Sequence, residues 1–130
     1  MKSDLAEMIQ TMKRKLNKAI EEYLNLLRGK YGDAIQSVVL FGSAARGEMQ
    51  KESDADVLIV VSGGNARTRD AISMAAYEIM VKNDVVLSPI VMDAAVFGWY
   101  RSNGDPFYKN IRKDGIEIWT KRPERLLKSA

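Results

Sequence analysis

Residues 38–61 read VVLFGSAARGEMQKESDADVLIVV. Two apolar runs, 35–41 and 55–61, have the length and composition of strands. Gly42-Ser43 closes the first, and Asp54 and Asp56 open the second. Apart from Asp56, every position of 55–61 is apolar, on both faces, which predicts a central strand. Between the strands, Ser43 can cap a short helix over 44–46, Gly47 stops it, and the polar run 48–53 reads as a surface loop.

Outward from this stretch, 3–27 carries Leu5, Met8, Ile9, Met12, Leu16, Ala19, Ile20, Tyr23, Leu24 and Leu27 in steps of one, three and four, an amphipathic helix. Lys13, Arg14, Lys15 and Lys18 lie opposite that stripe, as a solvated face or a docking patch. Asn65 caps a helix over 66–82, and a strand follows over 85–92. Pro89 points to an edge position or a bulge for that strand. Asp93 caps a helix to Tyr100, Pro106 opens another to Arg112, and 116–120 is a short last strand. The order predicts an α/β (α+β) fold: a small mixed sheet with helices packed on it, plus a long N-terminal helix. The expected division is an N-terminal helix over 1–30, a main domain over 31–120 and a basic tail over 121–130.

The chain of 130 residues has no cysteine and no histidine. Thiol and zinc-thiolate chemistry are excluded, and with them the imidazole base used most often near neutral pH. Catalysis must rest on carboxylates, hydroxyls, Lys and Arg, and a carboxylate ligand set favours a hard ion such as Mg²⁺. A net charge of +3 suits an anionic small molecule and is too mild to indicate nucleic acid. No signal-peptide h-region and no membrane-length apolar run stand out, which gives the expectation of a cytoplasmic protein without membrane attachment.

In a strand, residues two apart share a side, so Asp54 and Asp56 emerge together. Their repulsion is relieved by a divalent cation or by solvation in a turn. Gly42-Ser43 offers close backbone approach, a hydroxyl and helix-start N–H groups, which serve a phosphate or an ordinary capped turn. Neither pair decides alone. Ten residues, 44–53, separate Ser43 from Asp54. If the two strands are neighbours, phosphate cradle and metal ligands meet at one end of the sheet.

The pattern Gly42-Ser43-Ala44-Ala45-Arg46-Gly47 followed by Ser53-Asp54-Ala55-Asp56 resembles the minimal nucleotidyltransferases of the DNA polymerase β superfamily, with their G-S-x10-D-x-D motif. The resemblance implies a nucleotidyltransferase-like fold and an enzyme that moves a nucleoside monophosphate from a triphosphate, AMP from ATP for example, onto an acceptor with release of pyrophosphate. Gly42, Ser43 and Arg46 would bind the nucleotide, and Asp54 and Asp56 would hold Mg²⁺, as two ions flanking the reacting phosphorus. The family pattern implies a third carboxylate on a later strand. The run 85–92 has no acid. Asp84 fills the role if the strand starts early; otherwise Ser88 stands nearer the place. Trp99, Tyr100, Phe107 and Tyr108 are candidates either to stack a base or to fill core. Such proteins often accompany small helical HEPN-domain toxins, so an antitoxin-like binding role, a HEPN-type partner and a homodimer through the first helix are expectations too. A nucleotide binder without turnover is another alternative.

Overall fold

The most deeply buried strand is β2, Ala55–Val61, in which only Asp56 is less than fully buried. The computed structural model describes residues 2–42, 45, 55–63 and 65–121. These form α1 (Lys2–Tyr31), β1 (Ile35–Phe41), β2, α2 (Ala66–Asn83), β3 (Leu87–Asp93), α3 (Ala94–Ser102), α4 (Pro106–Asp114) and β4 (Ile116–Thr120). The four strands make one sheet in the order β3-β2-β1-β4. β1 runs antiparallel to both β2 and β4, while β2 and β3 are parallel and joined through α2. The sheet is mixed, β2 is internal, and Pro89 lies on an edge strand where its missing N–H costs no ladder bond.

Strand alternation gives the sheet two dry faces. Ala55, Val57, Ile59 and Val61 join Val38 under Leu16, Ala19, Tyr23 and Leu27 of α1 and Ile72, Ala76 and Ile79 of α2. Leu58 and Val60 join Val39 under Phe97 of α3 and Tyr108 and Ile111 of α4. The buried apolar residues of α1 begin at Leu16, so its first half contributes nothing to the core among the described side chains.

Polar bonds fasten α1 to α2. Buried Tyr23 donates its hydroxyl to the Ile72 carbonyl at 2.7 Å, and burial pushes its phenol pKa up. The Asn83 amide donates to the Glu22 carboxylate at 3.0 Å and to the Ile79 carbonyl at 2.9 Å.

Helix starts follow the local chemistry. Asn65 accepts from the Thr68 N–H, Asp93 from Ala95 and Asp105 from Phe107, with Pro106 directly behind the last cap. The helix expected over 44–46 and the loop over 48–53 fall almost wholly outside the described residues, as does the tail beyond Lys121. Among the described residues, no helix is long and apolar enough to cross a membrane.

Candidate functional site

β1 ends on Phe41, and the chain turns at Gly42 with φ of 78°. Phe41 is the register partner of Asp56. A Cβ at Gly42 would collide with Oδ2 of Asp56 and lie 3.2 Å from its Cγ. Gly42 is thus required twice, by the left-handed backbone and by the carboxylate packed against its Cα. The first half of the motif and one carboxylate of the second half meet at one end of two adjacent central strands. Ser43, Arg46 and Asp54 lie outside the described residues.

By alternation Asp56 shares the face of Leu58 and Val60, the one covered by α3 and α4. On β3 the same face carries Ile90 and Met92, and therefore Ser88. Ser88 is the register partner of Asp56 across the parallel ladder. A row Phe41, Asp56, Ser88 crosses three strands on one face. Both Asp56 and Ser88 are half-buried and have bonding partners in the fold.

Asp84 is elsewhere. It is the C-cap of α2, in the left-handed region at φ of 53°. Its side chain is 94% exposed and lies 3.7 Å from Lys15 of α1. Residues 85 and 86 continue from that turn before β3 begins at Leu87, so the strand starts too late to carry Asp84. The described chain brings Ser88, and not Asp84, beside Asp56.

The aromatic candidates divide. Tyr108 is core, 5.6 Å from Phe97. Phe107 lies edge-on to Phe41 at 6.0 Å, Tyr100 is 5.5 Å from Phe107, and Trp99 is 5.3 Å from Tyr100. This run links Phe41, the neighbour of Gly42, to an exposed indole. The place of Phe41 opposite Asp56 was not read from the sequence; its signal is only that it is the last apolar residue before the glycine turn.

Among the described residues, no group of three or more acidic side chains is placed to hold a metal ion. The surroundings of Asp56 nonetheless fit a hard cation. Its carboxylate supplies oxygen ligands, and no side chain rises from Gly42 to cover them.

Known proteins resemble the chain over most of its length. The profile of the nucleotidyltransferase domain family matches residues 14–122. A Methanocaldococcus jannaschii chain that bears the name protein adenylyltransferase is 35% identical over 102 residues, 78% of this chain and 96% of that one. Among solved structures, one described as a Sulfolobus solfataricus nucleotidyltransferase superposes over 87% of both chains, with a TM-score of 0.58 and 21% identity. A mutant of the toxin–antitoxin MntA–HpeT superposes over 80% of this chain and 74% of that one, with a TM-score of 0.52 and 18% identity. The two structural likenesses show a shared fold.

Proposed function

The chain belongs to the nucleotidyltransferase domain family, and from that membership we propose that it transfers AMP from ATP to a hydroxyl of a protein acceptor, with Mg²⁺. The observation that carries the reading is the Asp56 carboxylate lying against the bare Cα of Gly42. It sets a carboxylate beside a turn that has no side chain of its own, which supports a metal-phosphate reading. The acceptor class is taken from the relative named protein adenylyltransferase.

In this reading Gly42 and Ser43 receive the β- and γ-phosphates through main-chain N–H groups and the serine hydroxyl. Asp54 and Asp56 hold Mg²⁺, which when bound neutralises phosphate charge. Arg46 offsets the remaining charge of the triphosphate. The protein's contribution is to position the α-phosphorus and the acceptor oxygen in line. The acceptor oxygen bonds to the α-phosphorus, the α–β phosphoanhydride bond breaks, and pyrophosphate leaves with the electron pair. The acceptor's proton passes to solvent.

The test is transfer of label from α-labelled ATP in Mg²⁺ to protein acceptors, by wild type and by Asp54→Ala and Asp56→Ala. Label transfer lost in both variants is expected. No transfer by wild type, or equal transfer by the variants, sinks the reading.

One observation favours a second role beside the first. Met74, Tyr77 and Val81 of α2, spaced by three and four, are 62%, 58% and 86% exposed. Such a stripe suits a helical partner of the HEPN type or a second copy of the chain. Co-purification with the product of a neighbouring reading frame, retained by an Asp54/Asp56 double variant, would establish binding independent of transfer.

A further inference from the structure

α3 and α4 cover the face of the sheet that carries Asp56, and the turn between them lies at the Gly42 end. Phe107, at the start of α4, packs on Phe41, and Tyr100, near the end of α3, packs on Phe107. The outer side of this corner is apolar and basic. Trp99 is 58% exposed, and Val96, one turn earlier on α3, is 47% exposed. Arg101 is exposed in the last turn of α3, and Lys109 is exposed on α4. A Cβ built at Gly104 would meet Cε of Lys109 at 3.8 Å, which places that stem across the turn. Arg112 and Lys113 continue the exposed basic side of α4.

We propose that this corner docks an acidic, extended segment of the acceptor protein. Trp99 anchors the segment, and Arg101 and Lys109 pair with its carboxylates. The inference rests on the nucleotidyltransferase reading above and names the feature by which the acceptor is recognised. Trp and Arg are among the side chains that most often carry interface energy, and cations around an aromatic anchor select a partner of opposite charge. Position ties this surface to the chemistry. Ring-to-ring steps of 5.3, 5.5 and 6.0 Å lead from Trp99 to Phe41, the register partner of Asp56. About five residues of extended chain, at roughly 3.3 Å each, span that path. The acidic residues therefore stand within about five positions of the hydroxyl that is modified. Val96 extends the apolar part along α3, which suits a peptide side chain. Single-stranded nucleic acid is the competing occupant.

The experiment titrates the full chain with a glutamate–tyrosine copolymer, a lysine–tyrosine copolymer and single-stranded oligoadenylate. Indole emission is followed under excitation selective for tryptophan. Trp99 and Trp119 are the two tryptophans of the chain, so Trp99→Phe assigns the signal. Two charge reversals are compared, Arg101→Glu/Lys109→Glu at the corner and Arg14→Glu/Lys30→Glu at exposed positions of α1. They change the net charge equally. A melting curve checks the folding of each variant.

The glutamate–tyrosine copolymer is expected to shift the emission to the blue, and the lysine–tyrosine copolymer is not. Trp99→Phe should abolish the shift. Arg101→Glu/Lys109→Glu should weaken binding several-fold, Arg14→Glu/Lys30→Glu should leave it unchanged, and added salt should weaken it. Equal binding by wild type and the corner variant overturns the inference, as does the absence of any shift. Tighter binding of oligoadenylate than of the acidic copolymer overturns it too. If Arg101→Glu/Lys109→Glu does not fold, Arg101→Gln/Lys109→Gln takes its place. Label transfer to protein without copolymer binding overturns this inference and leaves the transfer reading standing. Copolymer binding through Trp99 without label transfer leaves the docking surface standing and removes the transfer reading.

Discussion

The Asn83 side chain donates to Glu22 at 3.0 Å, fastening the last residue of α2 to the middle of α1. Lys18 and Lys82 also approach Glu22, at 3.9 and 3.6 Å. The Asn83 bond holds the Glu22 carboxyl below its ordinary value of 4.5; desolvation opposes this, and the two lysines assist. The folded state therefore binds this proton less readily than the unfolded chain. The stability it contributes is complete above 4.5 and is lost as pH falls through the lower folded value. Glu22→Gln should melt below wild type at pH 7, and the gap should close as pH falls below 4.5. Melting temperatures of both proteins across that range check this; a gap that stays constant contradicts it.

Tyr23 is the deeper tie between the same helices. It is 1% exposed, and its hydroxyl meets the Ile72 carbonyl at 2.7 Å. Tyr23→Phe keeps the ring packing and removes the bond, at a cost of about 1 kcal/mol. Urea unfolding should show a lower midpoint with an unchanged slope.

Gly42→Ala should lose metal-triphosphate binding, because its methyl group would occupy the space of the Asp56 carboxylate. The left-handed backbone adds a stability cost of about 1–2 kcal/mol. Gly63 is the matched control: φ is 76°, and among the described residues nothing lies within 4 Å of a Cβ built there. Gly63→Ala should incur the backbone cost alone and bind a non-hydrolysable ATP analogue like wild type. Calorimetry with the analogue and a melting curve separate the two effects.

Asp84→Gly should raise stability by about 0.5–1 kcal/mol while leaving triphosphate binding and transfer unchanged. Glycine relieves the left-handed C-cap. The ion pair that it removes, to Lys15, is almost fully exposed on the Asp84 side and contributes little. Loss of transfer in this variant would return Asp84 to the catalytic site.

Most of the fold was legible because its signals are local. β1, β2 and β4 lie at the expected residues, where apolar runs stop at Gly42, Ser62 and Lys121. Asn65 and Asp93 cap the helices that they were expected to cap. α1 runs on through Gly29 to Tyr31, since a single glycine weakens a helix without stopping one held by packing. The start of β3 was not legible. Val85 and Val86 have strand composition, yet after the left-handed turn at Asp84 the strand proper begins at Leu87, with only the Val86 carbonyl already accepting from the Ala55 N–H. The turn takes Asp84, four residues before Ser88, out of the strand, and its geometry is one that β-branched residues do not announce. The Gly42–Asp56 contact, by contrast, follows once β1 and β2 are neighbours.

The position of Asp56 has a consequence for timing. β2 is hydrogen-bonded on both edges and covered on both faces, and its remaining residues are at most 3% exposed. Amides in such a strand exchange with solvent only when the whole domain opens. The backbone that carries this carboxylate is therefore among the last parts of the native protein to fluctuate. In the proposed reading the strand does not move to meet a nucleotide; the nucleotide is brought to the strand. Any slow step that paces turnover has to lie in groups other than β2.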